Sequence, residues 1–128
     1  MHNRIDHIVV RVRDLEKAMS DYEDKFGLQV RSGPEEMPDL GMKRATFSVG
    51  DAGNFIELAE PLGEDSAIGR SLEKQGEGLH LVALAVEDVD AAAAQMKESG
   101  ASLIETGGMT FVHPRDGHGV LYQLVERK

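Results

Sequence analysis

Imidazole and carboxylate groups are the reactive side chains available to this chain. It has five histidines and no cysteine among its 128 residues. The missing cysteine excludes disulfides, zinc–thiolate centres and thiol nucleophiles. Proton transfer and metal binding through nitrogen and oxygen donors stay open to the chain. Strand periodicity decides which of these groups can meet, because side chains two apart share a face of a sheet. Ile8, Val10 and Val12 alternate as on a half-buried strand, so His7, Val9 and Arg11 face the other way. Further along, Ile56 and Leu58 pack, leaving Phe55, Glu57 and Ala59 on the opposite side. Tyr122 and Leu124 pack in the last run, which turns Leu121, Gln123 and Val125 outward from that core.

The elements that must position these groups come as an internal repeat. Asp14 is an N-cap signal. Leu15, Ala18, Met19, Tyr22 and Phe26 follow at helical spacing, and Gly27 is a natural stop. The pattern returns 74 residues later: Val82, Leu84 and Val86 alternate, Asp88 caps, and Val89, Ala92, Ala93 and Met96 form the helical stripe before Gly100. By the same repeat Leu81, Ala83 and Ala85 share the face of His7, while His80 falls on the helix side. Strand-like runs follow each helix, near 28–31, 43–49 and 54–60 in the first half and 101–105, 109–113 and 119–126 in the second. Residues 50–53 and 115–119 read as hairpin loops. Ile68 and Leu72 mark a short extra helix capped by Asp65 or Ser66.

Each half is therefore β-α-β-β-β. Module one covers about 1–62 and module two about 78–128, within a single domain spanning 1–128. The class is α+β: an eight-stranded, curved sheet cup with helices on its convex face. The concave side gathers His7, Glu57, Leu81 and Gln123, two from each module at equivalent places. The bland alternative for Glu57 is a charge on a solvated sheet face. His80 reads as a packed or capping histidine, His113 and His118 as rim or turn residues, and His2 as part of a disordered terminus.

A net charge of −9 repels phosphate backbones, so nucleic acid is not an expected partner. No apolar run approaches the ~20 residues of a membrane span, and no secretory leader opens the chain. The expectation is a cytoplasmic protein with a small-molecule ligand.

At this point the residues resemble a known superfamily. The βαβββ repeat with His7 on the first strand and Glu57 on the fourth resembles the vicinal oxygen chelate (glyoxalase/bleomycin resistance/dioxygenase) proteins. Within them it is most similar to the methylmalonyl-CoA epimerases. The carrying segments are Ile5-Asp6-His7-Ile8-Val9-Val10, Asp14-Leu15-Glu16-Lys17-Ala18, Ile56-Glu57-Leu58-Ala59-Glu60-Pro61-Leu62-Gly63-Glu64-Asp65-Ser66, Gly76-Glu77-Gly78-Leu79-His80 and Val112-His113-Pro114.

The resemblance implies the glyoxalase-like fold and a homodimer. It also implies a divalent metal that holds substrate oxygens and stabilises an enolate. The family ligands fall on His7, Glu57, position 81 and position 123. His7 and Glu57 match, but position 81 is leucine, which has no donor atom. Gln123 replaces the usual glutamate and is a poor proton acceptor. The implied metal site is an eroded one, with His7, Glu57 and Gln123 as its donors and a weakly bound or absent ion of unknown identity. No catalytic base is assigned, and no organic cofactor is expected.

Two function classes compete. One is an isomerase or lyase acting on a carbon acid beside a carbonyl, on a thioester or related substrate. The other is a metal-free sequestering protein of the bleomycin-resistance type.

Overall fold

A computed structural model describes residues 2–127, with the side chains of His2 and Asn3 outside the description. Eight strands and three α-helices follow in the order β1 (His2–Arg11), α1 (Leu15–Phe26), β2 (Val30–Met37), β3 (Met42–Ser48), β4 (Phe55–Pro61), α2 (Ala67–Gln75), β5 (Gly78–Val86), α3 (Val89–Glu98), β6 (Leu103–Thr106), β7 (Met109–Val112) and β8 (Tyr122–Glu126). Hydrogen-bonded neighbours in the sheet run β2-β3-β4-β1-β5-β8-β7-β6. Each half thus repeats one scheme, in which the last strand of the module lies beside its first. β5 and β8 are parallel, while β7 and β8 are antiparallel. This is the expected α+β arrangement.

The chain divides into two compact units, Ile8–His80 and Met1–His7 with Leu81–Lys128. In the first, α1 starts where the Asp14 carboxylate accepts from the Lys17 N–H. It ends at Gly27, whose φ of 71° is the left-handed conformation that suits glycine. Leu15 and Met19 of α1 pack with Val12 just after β1, Ala45 and Phe47 of β3 and Leu58 of β4, and Val10 and Ile56 lie against this cluster. The expected packing face of the first and fourth strands is therefore the observed one. Ser66, not Asp65, caps α2, accepting from the Gly69 N–H. Ile68 and Leu72 are the buried side of that helix, as expected.

In the second unit Asp88 caps α3, accepting from the Ala91 N–H. Val86, Ala92 and Leu124 form its core with Leu84, Val89 and Met96 around them.

Two expectations need correction. The second strand was expected over 28–31 but runs Val30–Met37. It contains Gly33-Pro34, but β2 has only β3 as a neighbour, and an edge strand tolerates proline. Its register shifts between Val30 and Ser32 and again between Ser32 and Glu35, which absorbs the two residues. A short 3-10 helix, Pro38–Leu40, then turns the chain into β3. Finally, His2 was expected to be disordered, but it is the first residue of β1.

Candidate functional site

On the unit formed by Ile8–His80, register places the polar groups. Arg44 pairs with Ala59 and Thr46 with Glu57 across β3 and β4, and Ser32 with Thr46 across β2 and β3. Their neighbours Ala45, Phe47 and Leu58 are in the α1 core. Arg44, Thr46, Glu57 and Ala59 therefore occupy the opposite face, as alternation requires. Glu57 and Thr46 are each only 4% exposed. Glu57 is not a solvated surface charge, which removes the bland alternative for it.

A buried carboxylate needs a partner, and Arg44 supplies one. Arg44 Nη1 donates to Glu57 Oε1 at 3.1 Å, and its Nε donates to Glu35 Oε1 at 3.1 Å. Beside this pair the hydroxyls of Ser32 and Thr46 share a hydrogen bond of 2.6 Å.

On the unit that contains His7, Asp6 is fully buried and His7 is 8% exposed. The His7 Nδ1–H donates to Asp6 Oδ2 at 2.7 Å. Arg127 grips the same carboxylate through Nε at 3.1 Å and Nη2 at 3.2 Å, and an Arg4 nitrogen stands 3.3 Å from it. Burial by itself would raise the Asp6 pKa. The hydrogen bonds from His7 and Arg127 and the charge of Arg127 outweigh it and hold Asp6 below the ordinary carboxylate value. Asp6 is thus ionised and can only accept. In its neutral form the His7 ring would therefore carry its proton on Nδ1. The same carboxylate–histidine pairing orients metal-ligating and catalytic histidines elsewhere.

Gln123 and Leu81 belong to this unit too. Ala83 pairs with Gln123 across β5 and β8, and Leu81, two residues earlier, shares the face of Ala83. Leu81 is 6% exposed.

The donor set does not fit a tightly held metal ion. Leu81 places hydrocarbon where the resemblance requires a ligand. One oxygen of Glu57 is already bonded to a guanidinium. Among the described residues no three His, Asp or Glu side chains gather as an ion would need.

The remaining histidines behave as spacing suggested. His113 Nδ1 accepts from the Arg115 N–H in the turn after β7, and His118 lies in the following loop with φ of 56°. His80 is packed: its Nδ1 is buried and makes no hydrogen bond. Burial, and then the charge of Arg11, push its pKa down to about 4. His80 is therefore neutral in the fold but binds a proton in the unfolded chain below its ordinary value of 6.5. This stabilisation is complete above pH 6.5 and is lost as pH falls toward 4, by on the order of 3 kcal/mol. His80→Leu should flatten that part of the pH–stability curve by a similar amount, as urea unfolding at pH 7 and pH 4.5 would show. An unchanged slope would assign the acid sensitivity to other groups.

Sequence reasoning missed Asp6 and Arg44. Asp6 adjoins His7, a usable signal, but its arginine partner lies 121 positions away. Arg44 alternates with Thr46 in the 43–49 run, so its face was legible and its partner was not.

Comparison with known proteins places the chain in a family. Residues 6–122 match the family model of the Glyoxalase/Bleomycin resistance protein/Dioxygenase superfamily. An ethylmalonyl-CoA/methylmalonyl-CoA epimerase of Cereibacter sphaeroides is 34% identical, over 97% of this chain and 98% of the relative. The mitochondrial methylmalonyl-CoA epimerase of mouse is 36% identical over 94% of this chain and 71% of its own. Among solved structures, a variant of the Streptomyces coelicolor methylmalonyl-CoA epimerase in complex with 2-nitronate-propionyl-CoA superposes with a TM-score of 0.89 at 35% identity, covering 98% of each chain. The protein belongs to the Glyoxalase/Bleomycin resistance protein/Dioxygenase superfamily and within it resembles the methylmalonyl-CoA epimerases.

Proposed function

We propose that the protein is an isomerase of the epimerase kind, acting on a CoA thioester whose acyl α-carbon bears an acidic hydrogen. The observation that carries this reading is similarity to epimerases along the whole chain, 34% over 97% of its length. One solved relative at 35% identity is described in complex with methylmalonyl-CoA and NH4+. His7, set in a defined tautomer by buried Asp6, supports the same reading. A thioester carbonyl acidifies the adjacent C–H, and an enzyme of this kind must orient that carbonyl, stabilise the developing enolate oxygen and exclude water.

Of the ligand set His7, Glu57 and Gln123 that the resemblance implies, Glu57 is engaged by Arg44, so a divalent ion would be held weakly and no step is assigned to one. The reading includes a homodimer working in the cytoplasm. No described helix is long and apolar enough to cross a membrane. Incubation with methylmalonyl-CoA in D2O tests the proposal. One deuterium should enter the α-position, and a single diastereomer should become a mixture.

A second reading, a metal-free sequestering protein, is favoured by one observation: Glu57, the matching acidic ligand, is occupied by Arg44. Under that reading the thioester binds with no deuterium entering.

A further inference from the structure

The mismatch between the ligand set and the chain has a specific cause at Glu57. Its side chain is 6% exposed, and a carboxylate this buried stays ionised only beside a compensating positive charge. In a metal-dependent site the ion supplies that charge. Here Arg44 does, from the strand next to Glu57, with Nη1 at 3.1 Å. Its Nε is taken by Glu35. Glu35 is 45% exposed at its side chain and is therefore a solvent-screened partner. The Arg44 side chain keeps 30% of its surface exposed. The guanidinium is thus held at two of its nitrogens by carboxylates while part of the side chain stays exposed. Thr46, opposite Glu57 in register, and Ser32, bonded to Thr46, extend the polar face beside it.

We propose that Arg44 takes the place of a metal ion at Glu57. Its guanidinium is the fixed cation that meets an oxygen of the ligand on this face, so that ligand capture needs no divalent ion. A guanidinium suits this role because it is always charged and offers planar paired donors to a carboxylate or enolate-type oxygen. The identity of the ligand rests on the proposed function. The replacement of metal by Arg44 does not.

Two measurements separate these parts. The first is a Co2+ titration followed by absorbance, with no other ligand present. The native protein should bind Co2+ weakly, and Glu57→Gln should not weaken it further. Arg44→Met should bind at least about tenfold more tightly, because the guanidinium that competes with the ion for Glu57 is gone. Adding Glu57→Gln to Arg44→Met should abolish the gain, and this double variant also retains a compatible buried pair if Arg44→Met alone loses the fold. Native binding as tight as that of Arg44→Met, or native binding that depends on Glu57, overturns the proposal.

The second is calorimetry with methylmalonyl-CoA in EDTA. Binding should be unchanged by the chelator and weakened about tenfold or more by Arg44→Met, with Arg44→Lys between the two. Native binding abolished by EDTA, or Arg44→Met binding as native does, overturns it. If the thioester does not bind at all, the proposed substrate fails and the Co2+ result alone decides the role of Arg44.

Discussion

Leu81→His combined with Gln123→Glu should raise the affinity for Co2+ or Zn2+ by about two orders of magnitude or more over the native protein. His7 and both substituted positions belong to the same compact unit. Leu81 precedes Ala83 by two residues, and Ala83 pairs with Gln123, so the two new side chains share one face of β5 and β8. His7 already carries the arrangement that metal-ligating histidines have, an imidazole with one nitrogen hydrogen-bonded to a carboxylate. The double variant adds an imidazole where there is hydrocarbon and a charge where there is a neutral amide. Each charged donor contributes a few kcal/mol before solvent compensates, of order tenfold or more in affinity after it does. Calorimetric titration of the native and double-variant proteins measures the difference. No gain would mean that positions 81 and 123 are not the remnant of a metal site.

The largest loss of stability should come from Asp6→Ala. Asp6 is fully buried and receives His7 and Arg127, with Arg4 close by. Truncation leaves the buried Nδ1–H of His7 without its acceptor and removes a carboxylate partner of Arg127 and Arg4. Arg127 and Arg4 are 47% and 32% exposed at their side chains and can be rehydrated, which moderates the cost. The net expectation is about 3 kcal/mol, within the range for breaking buried polar networks. For a chain of this size that lowers Tm by roughly 10 °C.

The pH dependence follows from the depressed pKa of Asp6. Its contribution is present above the ordinary value of 3.8 and is lost as pH falls through the lower folded value. Unfolding curves of the native protein and Asp6→Ala should therefore be well separated at pH 7 and converge in strong acid. A separation that persists at low pH would assign the loss to packing and not to the ion pairs.

Much of this fold was legible because its signals are local. Asp14 and Asp88 cap their helices as read, since a cap needs only a side-chain oxygen three residues before an N–H. The packing faces of Val10, Val12, Leu58 and Leu124 followed from a two-residue period. The second strand runs on past Gly33-Pro34, which an edge strand tolerates and a central one does not, and edge position is a property of the sheet. The chemistry was only half legible for a similar reason. His7 and Glu57 could be placed on faces by alternation. Their partners could not, because Arg44 reaches Glu57 across strands and Arg127 reaches Asp6 from the far end of the chain. Ion-pair partners are chosen by tertiary placement, and alternation along one strand carries no record of them.

The most direct test of the central claim, an epimerase-like protein that works through its own side chains, is α-proton exchange into the proposed thioester in D2O with EDTA present. The account predicts deuterium incorporation about 10³-fold faster than in protein-free buffer, in the range expected of positioned acid–base catalysis, with no increase when Co2+ replaces the chelator. Exchange that appears only with Co2+ would contradict the role given to Arg44, and no exchange under either condition would contradict the enzyme reading altogether.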